Sequence, residues 1–152
     1  MITDWIMRVG DGVNFKNSSR HRIWGINMTT SDGKHFTKNA KIGDRLWFVK
    51  NKSNGKIIAV ATYWSHNLRE VGPLIKTTMS NEELGWTGEH IQKYNTEIHY
   101  TDLYNMEHCK ILSHIKNQSS ITKYNKSTEN CKVDLLAEYA YIVKYSKITF
   151  EM

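Results

Sequence analysis

Proline and cysteine are scarce in this chain, and long apolar runs are missing. The single proline, Pro73, leaves no Pro-rich linker to divide the 152 residues, so we expect one domain over 1–152. Two cysteines, Cys109 and Cys131, are too few for a disulfide framework or a cysteine-based zinc site. No segment reaches the roughly 20 apolar residues of a membrane span, and the first residues lack the pattern of a signal peptide. These absences predict a soluble intracellular protein, cytoplasmic or nuclear.

The motifs of common enzyme classes are also missing. There is no GxSxG elbow, no Gly-rich phosphate loop and no HExxH pair. His99 with Asp102, and Glu107 with His108, are conceivable acid–base pairs, but a chain with seven histidines yields such pairs by chance. We therefore expect a non-enzymatic protein that needs no metal and no organic cofactor. A nuclease-like enzyme that uses His99 or His108 is the catalytic alternative.

What the chain does have is positive charge. Its formal net charge is +6, which favours an anionic partner. One basic cluster lies just before a tryptophan, Trp24, and contains Lys16, Arg20 and Arg22. Cations beside an accessible aromatic ring suit a single-stranded or flipped nucleotide, whose phosphates they would hold.

The clearest structural signal is a β-hairpin between Gly43 and Trp64. Residues 44–50 are rich in aromatic and β-branched side chains, residues 56–64 are apolar on both alternating faces, and Asn54-Gly55 between them favours a turn. A strand that is apolar on both faces lies at the centre of a covered sheet. The small Ala59 and Ala61 would let another element pack closely.

Shorter elements complete a pattern of many strands and few helices. We expect strands at 4–9 and 96–101, an apolar segment at 23–26, and a short helix from about 81 to 84 that begins with the capping box Ser80–Glu83 and ends near Gly85. The 105–117 segment fits a helix or a strand, and 133–143 has helical spacing although 141–145 is equally good strand material. This pattern is typical of a small α+β or barrel-like domain.

Four segments resemble the EVE domain, a member of the PUA-like superfamily that is related to YTH domains. They are Trp5-Ile6, Trp24-Gly25-Ile26-Asn27, the Gly43-Asp44 turn with the strand after it, and 57–61. The resemblance covers residues 5 to about 101. It implies a small PUA-like β-barrel with flanking short helices, with 105–152 as a C-terminal extension of the same domain. In relatives of this family a pocket receives a nucleobase, which is often modified.

Three of the five tryptophans and two asparagines are the candidates for such a pocket. Trp5 and Trp47 lie inside predicted strands, so we expect them in the core. Trp24, Trp64 and Trp86 lie at strand ends or in loops, where an indole can stack on a base. Asn14 and Asn27 carry amides that can read a base edge. The sequence thus predicts a module that binds DNA or RNA, with Trp24, Trp64, Trp86, Asn14 and Asn27 at the base and Lys16, Arg20 and Arg22 at the phosphates.

A second hypothesis does not involve nucleic acid. Tyr139, Tyr141 and Tyr145 make the C-terminal segment rich in tyrosine, which is typical of protein interfaces. The chain would then be a protein-interaction or assembly module, with a homodimer as one form.

Overall fold

The computed structural model describes residues 2–50, 55–69, 79–105, 115, 120–124 and 135–145. Six strands, four α-helices and one 3₁₀ helix lie in these ranges. The order is β1 (Asp4–Arg8), α1 (Val13–Ser19), β2 (Ile23–Ile26), α2 (Ser31–Asn39), β3 (Arg45–Val49), β4 (Ile57–Leu68), α3 (Asn81–Leu84), the 3₁₀ helix (Glu89–Lys93), β5 (Thr96–Asn105), β6 (Ile121–Lys123) and α4 (Leu135–Tyr145). No helix within these ranges is long and apolar enough to cross a bilayer.

The six strands form one mixed sheet in the order β2-β5-β4-β3-β1-β6. β1 and β3 pair in parallel, and the other neighbours are antiparallel. The predicted hairpin is confirmed as β3 and β4, and Gly55 has the positive φ, 79°, that a turn there requires. β4 is central, as its two apolar faces predict. The sheet is a half-barrel flanked by short helices, which confirms the α+β class.

Apolar side chains on the two faces of the sheet form two separate cores. The first core includes Trp5, Phe15, Trp24, Phe36 and Trp86. The second core includes Ile6, Trp47, Val60, Leu135 and Ile142, so α4 covers this part of the sheet. Trp5 and Trp47 are both fully buried, which confirms their predicted packing role.

Two aspartates tie the strand ends together. Asp4 makes two hydrogen bonds with the Arg45 guanidinium, at 2.7 and 3.1 Å, and accepts a third from Trp47 Nε1 at 2.8 Å. Asp44 is only 2% exposed and accepts hydrogen bonds from Thr3 N, Trp5 Nε1 and Lys41 N at 2.9–3.1 Å. A buried carboxylate with three donors is satisfied, so the Gly43-Asp44 turn anchors both β1 and β3.

Two helices, α1 and α2, lie where the sequence patterns predict none. α1 follows Gly12, whose φ is 89°, and it has no side-chain cap and is only seven residues long. α2 begins at the hydroxyl of Thr30, which accepts a hydrogen bond from Gly33 N. Both helices are short and polar, so their sequence periodicity is weak. Their tertiary contacts, through Phe15 and Phe36, stabilise them instead.

Two further helices, α3 and α4, test the sequence predictions. α3 has both hydrogen bonds of the predicted capping box and ends at Gly85, whose φ is 74°. Residues 135–145 are helical, which decides the ambiguity there. The ambiguous 105–117 segment, with Cys109 and His108, lies almost entirely outside the described residues, as does Cys131.

Asp44 gives the first testable prediction. Asp44→Ala leaves three donors without an acceptor in the protein interior, so we expect it to lower the free energy of unfolding by about 2–4 kcal/mol. The exposed Asp11, which accepts from Val13 N, is the matched control, and Asp11→Ala should cost about 1 kcal/mol or less. Urea denaturation measures both values. Equal losses in the two variants would contradict the anchoring role of Asp44.

Candidate functional site

A cavity of about 580 Å³ opens beside Trp24, where the end of β1 meets the start of α1. Residues 79–95, named the Trp86 loop from here on, form its other side with Thr87, His90 and Tyr94. The remaining lining residues run from the end of β1 to the start of α1, with one more directly before β6: Arg8, Val9, Gly10, Asp11, Val13, Asn14 and Ser120. The site therefore combines two aromatic rings with amide, hydroxyl, carboxylate and cationic groups.

Trp24 lies on β2 and is the centre of an aromatic cluster. Its ring centroid is 5.9 Å from those of Trp86 and Tyr94 and 6.0 Å from that of Phe15. These three rings meet it edge-on or tilted, at interplanar angles from 54° to 78°. Trp24 is 4% exposed, so only a small part of its indole contacts the cavity, while Tyr94 is half-buried. Burial raises the pKa of Tyr94, which keeps its phenol protonated at neutral pH.

Gly25, the residue after Trp24, makes this cluster possible. A Cβ at this position would lie 2.7 Å from Trp86 Cη2 and 2.9 Å from Tyr94 Cδ2. Real side chains do not approach so closely. The two rings of the Trp86 loop can therefore pack against β2 only because Gly25 has no side chain.

Two asparagines of α1 bind the backbone of the Trp86 loop. Asn14 donates from Nδ2 to Thr87 O at 2.8 Å, and its Oδ1 accepts from Thr87 N at 3.0 Å. One turn later, Asn17 donates from Nδ2 to Gly85 O at 2.8 Å. The two side chains thus fix the loop on both sides of Trp86.

Arg69 holds the loop from its far side. Its guanidinium carbon lies 4.8 Å from the Trp86 ring centroid, and its Nη2 donates to Asn81 Oδ1 at 2.6 Å. Nη1 of the same side chain pairs with the buried Glu97 at 3.1 Å. Trp86 is therefore packed between a cation and the aromatic cluster, and its buried Nε1 has no hydrogen-bond partner among the described residues.

The predicted base-contacting residues do not all meet at the cavity. Trp24 and Asn14 line it, and Trp86 packs against Trp24 without being part of the lining. Asn27 is not part of the lining, and its Oδ1 accepts from Thr29 N and Thr29 Oγ1. Trp64 is 55% exposed on β4 and is not part of the lining either.

Two of the three predicted phosphate-binding residues line a second, open cavity. Lys16 and Arg20 line this cavity of about 410 Å³ together with Glu82 and Glu83, so its charge is mixed. Arg22 donates from Nη1 to Ser19 O at 2.6 Å. Arg8, which the sequence interpretation did not select, is the arginine that lines the first cavity.

The sequence interpretation also missed the Trp86 loop as a wall of the site. Thr87, His90 and Tyr94 follow Trp86 within eight residues, so Trp86 itself was the available signal. Their convergence with Asn14 depends on hydrogen bonds between residues 73 positions apart, which no local pattern reports.

The catalytic alternative gains no support from the geometry of His99. Its Nε2 lies 2.9 Å from Glu97 Oε2 and 2.7 Å from Asn67 Oδ1, so the ring belongs to a polar network of β4 and β5. His108 and Glu107 lie outside the described residues. In the part of the chain that the structure describes, no three His, Cys, Asp or Glu side chains converge as a metal site would require.

Comparison with known proteins gives a likeness of structure alone. No protein-family model matches the chain, and no curated protein matches it significantly. Among solved structures, the Pho92 YTH domain in complex with m6A is similar with a TM-score of 0.53 and 14% identity, over 97% of this chain and 87% of that one. The YTH domain of Zygosaccharomyces rouxii MRB1, in complex with N6-methyladenosine RNA, has a TM-score of 0.53 and 13% identity, over 98% and 90%.

The fold is YTH-like. This agrees with the fold class that the sequence segments imply. The sheet puts the Trp24-Gly25 segment on an edge strand, and the Trp86 loop leads directly into the start of β5, the end that pairs with β2.

Gly25 yields a prediction about this aromatic cluster. Gly25→Ala forces a methyl group into the Trp86 and Tyr94 rings, so we expect a loss of about 1–3 kcal/mol in unfolding free energy. Trp86→Phe removes the atoms that the methyl group meets first. The double variant Gly25→Ala/Trp86→Phe should therefore be more stable than the sum of the two single losses allows, by about 0.5 kcal/mol or more. Urea denaturation of the four proteins measures this coupling, and strict additivity would show that the close contact is absent.

Proposed function

We propose that the chain is a non-enzymatic reader of RNA that accepts a nucleobase, modified or not, in the cavity beside Trp24. The observation that carries the proposal is the composition of that cavity. It joins the rings of Trp24 and Tyr94 to the Asn14 amide and to Arg8 in one opening. Its volume of about 580 Å³ is within the range of small-ligand sites, roughly 300–1,000 Å³.

Each group of the cavity has a separate part in binding. Ring surface on Trp24 and Tyr94 supplies apolar and stacking contact with a base. Asn14 uses one N–H and one oxygen lone pair in its hydrogen bonds with Thr87. Its amide has a second N–H and a second lone pair that can bind a base edge. Gly10 lines the opening, and a Cβ there would meet no atom within 4 Å, so a ligand can approach its backbone.

Cations around the opening suit the phosphates that accompany a base. Arg8 lines the cavity itself. Lys16 lies further along α1 and Arg20 directly after that helix, and both line the second cavity, while Arg22 follows them in the chain. With a net charge of +6 for the whole chain, binding should weaken as salt rises.

The choice of RNA and of a methylated base comes from the neighbours. Both YTH domains with a similar fold are in complexes with m6A or N6-methyladenosine RNA. From the EVE-like segments of the sequence, Trp24-Gly25-Ile26-Asn27 above all, we infer as part of this proposal that the chain belongs to the same PUA-like group. N6-methyladenosine is therefore the first modified base to test, beside adenosine and the corresponding DNA.

The assembly hypothesis has less support from the described residues. Tyr139 is turned toward the sheet, where its ring packs on Trp47 and Tyr104 and lies 4.7 Å from the Arg45 guanidinium carbon. The side chains of Tyr141 and Tyr145 lie outside the described part of the structure.

Tryptophan fluorescence tests the reader. Short RNAs that contain N6-methyladenosine should quench the emission at low salt, and the affinity should fall as salt rises. Trp24→Ala should weaken binding by about 1 kcal/mol, the low end of the value of one base stacked on an aromatic ring, because only a small part of the indole contacts the cavity. Since Trp24 is buried, Tyr94→Leu serves as a second variant, and the exposed Trp64→Ala is the control that should bind normally.

Three results would refute this assignment. One is the absence of quenching by any oligonucleotide at low salt. Another is unchanged affinity in both Trp24→Ala and Tyr94→Leu after each is shown to be folded by circular dichroism. The third is a loss in Trp64→Ala as large as that in Trp24→Ala, which would move the site to the outer face of β4.

A further inference from the structure

Asn17 stands out because it shapes the cavity without being part of it. Its side chain binds Gly85 O at 2.8 Å, directly before Trp86, and it lines the second cavity instead of the first. Thr87, His90 and Tyr94, which follow Trp86, supply one whole side of the first cavity. The position of that side therefore depends on where the backbone at Gly85 is held.

The contact between Asn17 and Gly85 is too close for any other residue at position 85. A Cβ on Gly85 would lie 2.7 Å from Asn17 Cβ, and Gly85 has a φ of 74°. Both facts exclude a side chain there without strain. The α1 helix and the backbone of the Trp86 loop therefore approach each other closely at this point, and the Asn17 amide donates a hydrogen bond to the Gly85 carbonyl.

Other contacts keep the loop folded if Asn17 is lost. Arg69 binds Asn81 Oδ1 and packs on Trp86, and Asn14 binds both the backbone N–H and the backbone carbonyl of Thr87. Asn17 therefore adjusts a loop that is already attached at several points. Its removal should shift the wall of the cavity without unfolding the domain.

We propose that Asn17 is a positioning residue for base recognition: its hydrogen bond to Gly85 sets the place of the Trp86 loop and hence the affinity of the cavity. The inference rests on the proposed function for its affinity argument. The cavity is open while the hydrogen bond is formed, and Thr87, His90 and Tyr94 line it in that state. The bond thus favours the binding-competent wall, and its loss should weaken base binding.

The test compares Asn17→Ala and Asn17→Leu with Asn39→Ala. Asn39 is an exposed helical asparagine that also donates from Nδ2 to a backbone carbonyl, His35 O at 2.8 Å, but it does not line either cavity. Asn17→Leu keeps the approximate size of the side chain and adds no charge, so it removes the hydrogen-bonding amide alone. Melting temperatures of all three variants report any general loss of stability.

Two measurements separate the outcome for Asn17 from that for the proposed function. The first is affinity for a short RNA with N6-methyladenosine and for the same RNA with an abasic site at that position. Both Asn17 variants should bind the first RNA about threefold to tenfold more weakly, the usual effect of one hydrogen bond, and the abasic RNA as the parent does. The second is hydrogen exchange of the Thr87 amide without ligand, which should become faster in both variants and not in Asn39→Ala.

Each contrary result is decisive. Unchanged or tighter binding of the base-containing RNA, or an equal loss for the abasic RNA, would overturn the positioning role. Unchanged Thr87 exchange in both Asn17 variants would show that the hydrogen bond does not place the loop, and would also overturn it. If the parent protein binds no RNA at all, the proposed function fails, and the exchange rates alone then decide whether Asn17 holds the loop.

Discussion

The candidate site depends on one steric constraint, the missing side chain at Gly25. Trp86 and Tyr94 approach β2 at this position more closely than a Cβ would permit. The approach brings both rings against Trp24 and carries Thr87 and His90 to the other side of the cavity. A larger residue in β2 would move the Trp86 loop outward, so the width of the cavity is set by a position that contributes no side chain to it.

The loop is held by neutral amides on one side and by a cation on the other. Asn14 and Asn17 bind backbone groups of Thr87 and Gly85, and Arg69 packs on Trp86 while it pairs with the buried Glu97. Hydrogen bonds of neutral side-chain amides are little affected by salt, and the buried ion pair is screened much less than a surface pair. The wall of the cavity should therefore keep its place at salt concentrations that weaken contacts with phosphates, which separates the shape of the site from its electrostatic attraction.

The hairpin, the central strand and the capped helix were predictable because local patterns determine them. Residues 44–64 alternate and turn as β3 and β4 do, and the Ser80–Glu83 capping box begins α3. α1 and α2 were not predictable, because Phe15 and Phe36 stabilise these polar helices through contacts with distant residues. Only part of the site was predictable, because some of its residues meet through long-range contacts alone. Trp24 and Asn14 were selected on local grounds, whereas Arg8, Thr87 and Tyr94 join them only through the folded sheet and loop.

The burial of Trp24 changes how such a pocket has to work. An indole that is 4% exposed and packed by three other rings cannot offer a whole face to a base. Affinity must then come from several partial contacts, with the edge of Trp24, the half-exposed Tyr94 and the remaining hydrogen-bonding capacity of Asn14 acting together. Partial contacts add up only if the groups stay at fixed distances from one another. This makes the hydrogen bonds that hold the Trp86 loop as important to binding as the residues that touch the base.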